Sequence, residues 1–143
     1  PFGENESYVC CEVWIMNSKN QMLITQRHPD KKAGGQWEFT GGGVLAGETT
    51  RLAAIREVQE ELGISLKEAE LELLEVYKHK KYFMDIYVVR KDVPDDEIVL
   101  DENEVINWTW ASEREIEQLI ETGQMVHSVG KRYGMFGKKL TDR

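Results

Sequence analysis

Residues 42–64 read GGVLAGETTRLAAIREVQEELGI, and the second half of that stretch decides how the chain folds. From Glu48 to Leu62 there is neither Gly nor Pro, and Ala54, Ile55, Val58 and Leu62 recur at helical spacing. This predicts an amphipathic helix that stops at Gly63. On it, Glu57, Glu60 and Glu61 stand at i, i+3 and i+4, within an arc of roughly 100°. The apolar stripe is centred about 120° away, so the three carboxylates border the buried face and can line a cleft. Like charges at this spacing repel, and Arg56 alone is near enough in sequence to offset them. Mg²⁺ or Mn²⁺ would supply the missing positive charge, because hard divalent ions take oxygen ligands. Three glutamates taken alone are more often a solvated acidic face, so the flanking residues have to decide.

On the N-terminal side, apolar and β-branched runs at residues 8–16 and 21–26, split by Asn17, Ser18, Lys19 and Asn20, predict a β-hairpin. A polar loop at 27–36, with Pro29 and Gly34-Gly35, leads into a short strand-like segment at 37–40 and three glycines. On the C-terminal side, strand-like stretches at 71–77 and 82–90 precede an acidic loop at 95–104 and a short strand near 105–110. Ser112 and Glu115 then form a capping box for a second helix. This order implies an α+β fold, a mixed sheet packed between helices, with residues 1–143 as a single domain.

The charge balance narrows the partners. Eighteen Lys and Arg against 26 Asp and Glu, a net charge of -8, argue against a nucleic-acid polymer and leave room for a small phosphorylated ligand. No apolar run approaches the roughly 20 residues of a membrane span, and the start lacks a basic segment followed by an apolar one. The expectation is a soluble cytoplasmic chain with no membrane partner. Cys10 and Cys11 adjoin in an extended segment, so one thiol is expected in the core and the other outside.

Gly42 is followed after five residues by Glu48, and after seven more by Arg56, Glu57, Val58, Gln59, Glu60, Glu61, Leu62, Gly63 and Ile64. This resembles the signature of the Nudix hydrolases at all nine of its fixed or restricted positions. Looser similarity, including Gln26-Arg27, Trp37 and Trp110, extends over most of the chain. The resemblance implies an α/β/α sandwich and a divalent-metal-dependent hydrolase that cleaves a diphosphate bond in a nucleoside diphosphate linked to another moiety. The substrate would be a nucleoside triphosphate, a nucleotide sugar or a similar nucleotide.

Carried over by position, the resemblance implies that Glu57, Glu60 and Glu61 coordinate the cation, joined by the backbone carbonyl of Gly41. Arg56 would pair with the carboxylates of the motif, and Glu48 would be an outer or additional metal contact. Water would attack one phosphorus in line, with Glu57 or Glu60 as general base. Glu102 and Glu104, in the later acidic loop, are alternative bases. Gly41, Gly42 and Gly43 would allow positive φ and close approach to metal and phosphate, and Gly47 would turn the chain into the helix.

Further residues are secondary candidates. Arg27 is read as a phosphate contact or a surface ion pair. Trp37 and Phe39 would stack on a base or fill the core. Trp110 is assigned to the core. His28, His79 and His127 form no ligand pattern, and the basic, aromatic tail at 131–139 reads as a solvated terminal segment. The sequence is compatible with a homodimer and carries no direct sign of one.

Two rival functions fit the sequence less well. The stretch at 23–48 also resembles isopentenyl diphosphate isomerase, a family that uses a cysteine ahead of the signature glycine together with histidine metal ligands. Here no cysteine lies between Cys11 and Gly42, and His28 is the single histidine in that interval. A catalytically inactive nucleotide-binding module would commonly have lost signature glutamates, and all four are present.

Overall fold

The structure is a computed structural model that describes residues 8–140. The hairpin forms as predicted from β1 (Tyr8–Met16) and β2 (Met22–Arg27). Asn17 shapes its turn by accepting from the backbone N–H groups of Lys19 and Gln21 at 3.0 and 2.9 Å, and Asn20 takes the left-handed conformation at φ 60°. β3 (Trp37–Glu38) and β4 (Thr40–Gly43) follow the polar loop, then β5 (Glu72–Lys78), β6 (Tyr82–Arg90) and β7 (Val105–Ala111). The seven strands make one mixed sheet. β1 is its axis: β6 pairs with it in parallel from Tyr8 to Met16, while β4 and then β2 pair antiparallel with it.

Helices cover both faces, as the α/β/α expectation requires. α1 (Thr50–Leu62) lies on one side, where Ala54, Val58 and Leu62 pack against Cys11, Val13 and Ile15. α2 (Glu113–Glu121) and α3 (His127–Phe136) lie on the other, where Ile116, Val129 and Tyr133 meet Cys10, Trp14 and Met16. Two expectations are corrected here. Cys10 and Cys11 are both buried, because a central strand with helices on both faces has no solvent side. The tail at 131–139 is not a solvated terminus: α3 docks on the sheet through Val129 and Tyr133 and buries Arg132 against Glu12. Phe39 is core, ringed by Trp14 and Tyr133 at centroid distances of 5.2 and 6.0 Å. Trp110 packs half-buried against the α1-side core.

The helix ends are set by local chemistry. The Thr49 side chain caps α1 by accepting from Leu52 N at 3.2 Å, and Gly63 closes it in the left-handed conformation at φ 68°. Ser112 and Glu115 form the predicted capping box on α2. Among the described residues no helix is long and apolar enough to cross a membrane.

Candidate active site

α1 follows β4 after a six-residue loop, which sets its inner edge against the glycines. A Cβ on Gly42 would lie 2.5 Å from Glu57 Oε1, so the carboxylate rests directly on that backbone. A Cβ on Gly41 would lie 2.3 Å from the carbonyl oxygen of Cys11 on β1. Close approach is therefore the reason for glycine here. The expected positive φ is not: Gly41, Gly42 and Gly43 run as extended strand, whereas Gly47 turns the chain with φ 84°.

Arg56 organises the carboxylates. Its Nε and NH2 donate to Glu48 at 2.8 and 3.0 Å, NH1 to Glu57 at 2.9 Å and to Glu60 at 3.4 Å, and NH2 also to the carbonyl of Gly43 at 3.0 Å. The bonds to Arg56 and to Leu45 N–H hold the Glu48 carboxyl below its ordinary range. Glu48 is thus placed as the anchor of Arg56, with both oxygens engaged. Glu57 is largely covered and Glu60 open, at 15% and 55% side-chain exposure.

Beyond Arg56 lies a cleft of about 400 Å³. Six carboxylates line it, Glu38, Glu57, Glu60, Glu61, Asp101 and Glu104, against the cations Arg27 and Lys31. Both cations are engaged: Arg27 NH1 donates to both oxygens of Glu38 at 3.0 and 2.9 Å, and Lys31 pairs with Glu104. Glu61 has no cation partner among the described residues. Burial, followed by the nearby Glu57 and Glu38 carboxylates, pushes its carboxyl up to about 9. The side-chain oxygens that line the cleft are the donor type a hard divalent cation takes, but among the described residues no three His, Cys, Asp or Glu side chains already converge on one point.

The structure brings Arg27, Gly41, Gly42, Glu57, Glu60, Glu61 and Glu104 to this cleft. Gly43 adjoins it through its bond to Arg56. Glu102 is exposed and off the cleft, while Glu104 is drawn in by Lys31 and by its carbonyl, which accepts from His28 N at 3.0 Å. Trp37 is not brought in. Its neighbour Glu38 faces the cleft, so strand alternation sends Trp37 to the opposite face, into a separate groove with Leu119 and Thr122. Lys31, Glu38 and Asp101 were not singled out from sequence. Glu38 could have been, as a charge in a strand three residues before the glycines; the other two sit in loops without periodicity.

The family model described as NUDIX domain matches residues 9–129. The chain belongs to the Nudix family. An uncharacterized Nudix hydrolase of Listeria monocytogenes is 33% identical over 123 residues, spanning 85% of this chain and 73% of that one. The 8-oxo-dGTP diphosphatase of Escherichia coli is 43% identical over 51 residues, 36% of this chain and 40% of that one. The crystal structure of a bifunctional NMN adenylyltransferase/ADP ribose pyrophosphatase from Francisella tularensis, complexed with AMP and a manganese ion, superposes with a TM-score of 0.76. It covers 97% of this chain and 43% of that one at 18% identity, a likeness of Nudix fold alone.

Proposed function

We propose that this chain is a divalent-metal-dependent hydrolase that splits the diphosphate bond of a nucleotide, with water as the second substrate. The observation that carries the reading is the cleft in which six carboxylates face two cations, with Glu57 and Glu60 tied to Arg56. The relatives named for 8-oxo-dGTP and for ADP ribose support a nucleotide as the substrate.

Glu57, Glu60, Glu61 and the carbonyl of Gly41 would hold Mg²⁺ or Mn²⁺. When bound, the ion supplies charge neutralisation at the diphosphate and acidifies water. The residues of the chain do the rest. Arg56 keeps Glu57 and Glu60 in register. Arg27 and Lys31 can exchange Glu38 and Glu104 for phosphate oxygens, since charge-assisted bonds to phosphate replace those to carboxylate in kind. Glu60, open to the cleft and held by one long bond at 3.4 Å, is the carboxylate freest to take the proton of the attacking water. Glu104, which lines the same cleft and pairs with Lys31, is the alternative base.

The test is turnover of a panel of nucleoside triphosphates and nucleotide sugars with Mg²⁺ or Mn²⁺, together with thermal melting with and without the ion. Turnover should require the ion and fall at least a hundredfold in Glu60→Gln. At a hundred times its Kd the ion should stabilise the fold by about 2.7 kcal/mol. Absence of both turnover and a melting shift across the panel would refute the reading.

A further inference from the structure

A second groove, of about 470 Å³, opens toward α3 and shares Arg27, Glu38, Gly41 and Gly42 with the carboxylate cleft. Glu12 and Arg132 line it, and both are buried. Glu12 is fully committed: Oε1 accepts from Trp14 Nε1 at 3.0 Å and from Arg132 Nε at 3.1 Å, and Oε2 accepts from Arg132 NH2 at 2.8 Å. Arg132 NH1 donates to the Tyr82 hydroxyl at 3.0 Å.

A guanidinium has five N–H donors. Three are used, one on each nitrogen, so no Arg132 nitrogen is unpartnered, and by count one hydrogen on each terminal nitrogen is spare on a side chain 5% exposed. A spare hydrogen on a nitrogen already bonded can still donate to an acceptor that a ligand brings. Fixing α3 to β1 does not explain the charge, because apolar side chains of equal volume hold buried elements as well as ion pairs do. The pair instead keeps a planar fork rigid at the wall of an open groove.

Two spare donors on neighbouring nitrogens match two neighbouring acceptors, the way an arginine fork meets O6 and N7 of guanine. Adenine keeps N7 but presents an amino donor in place of O6. We propose that this groove receives the base of the substrate and that Arg132, held by Glu12, selects a 6-oxopurine over adenine. This rests on the hydrolase reading, which lays the diphosphate in the adjoining cleft. The groove has the size usual for small-ligand sites, on the order of 300–1,000 Å³.

The experiment is calorimetric binding of GMP, IMP, AMP and 7-deaza-GMP to the intact chain with Mg²⁺, beside hydrolysis of GTP and ATP. GMP and IMP should bind alike and roughly tenfold to a hundredfold tighter than AMP. 7-Deaza-GMP, which lacks the N7 acceptor, should lose most of that advantage. Equal binding of GMP and AMP, or no binding of any of the four at millimolar concentration, would overturn the assignment. Turnover of GTP and ATP with equal kcat/KM would overturn it while leaving the hydrolase reading intact. A binding preference without turnover would do the reverse. The double variant Glu12→Gln/Arg132→Gln, which leaves no lone buried charge, should bind GMP and AMP alike; if it does not fold, the ligand series with the parent chain still decides.

Discussion

Glu48 and Arg56 form a two-pronged ion pair, Oε2 to Nε at 2.8 Å and Oε1 to NH2 at 3.0 Å, and the remaining arm of the same guanidinium holds Glu57 at 2.9 Å. Glu48 therefore orients the arginine, and the arginine orients the carboxylate that rests on Gly42. A lysine would keep the charge but present a single point in place of the planar fork. Arg56→Lys is expected to lower kcat/KM about a hundredfold, the scale of loss when a reacting group is misplaced by about 1 Å. Its melting temperature should stay close to that of the parent. Steady-state hydrolysis within threefold of the parent would remove Arg56 from this positioning role.

Gly41 and Gly42 should respond oppositely to the same added methyl group. In Gly42→Ala the clash falls on the movable end of Glu57, so the fold should survive while turnover drops at least a hundredfold. In Gly41→Ala the clash falls on the β1 backbone at Cys11, which cannot step aside, and overpacking of that kind costs about 1–3 kcal/mol. Melting curves and activity on the two variants separate the cases. An active Gly42→Ala enzyme would show that Glu57 has another working position.

The capping box of α2 predicts a pH effect of known sign. The backbone N–H and side chain of Ser112 hold the Glu115 carboxyl below its ordinary range. A carboxyl depressed in the folded state contributes stability above its unfolded pKa and loses it as pH falls through the folded value. Glu115→Ala, which removes the carboxyl held by the Ser112 N–H, should destabilise the fold at neutral pH, and its deficit should shrink on acidification because the parent loses the same contribution as that carboxyl protonates. Urea melts from pH 7 down to pH 3 check this. A deficit that stays constant with pH would contradict the reciprocal cap.

The legible part of this protein is the part written in local repeats. α1 could be placed because Ala54, Val58 and Leu62 share a stripe and Glu57, Glu60 and Glu61 border it, and the structure confirms both the helix and the cleft edge. Ser112 announced α2 for an equally local reason. Cys10 and Cys11 misled because alternation reports which residues share a face, not whether both faces are covered. Trp37 was left open between base stacking and core, because its side of the sheet depends on its pairing with Gln26, which no short window contains; the structure packs it against the core. In the tail, the charges of Lys131, Lys138 and Lys139 drew more weight than the spacing of Val129 and Tyr133, which docks α3.

By itself, then, the amino-acid order determined the helix that carries the acid groups and the alternation of elements, since hydrogen-bond geometry within a few residues controls both. Tertiary structure alone decided which distant loops supply Lys31, Asp101 and Glu104 to the cleft, and that Arg132 meets Glu12 across 120 residues. Those meetings follow from sheet register and from burial on both faces, which are properties of the assembled layers and not of any one segment.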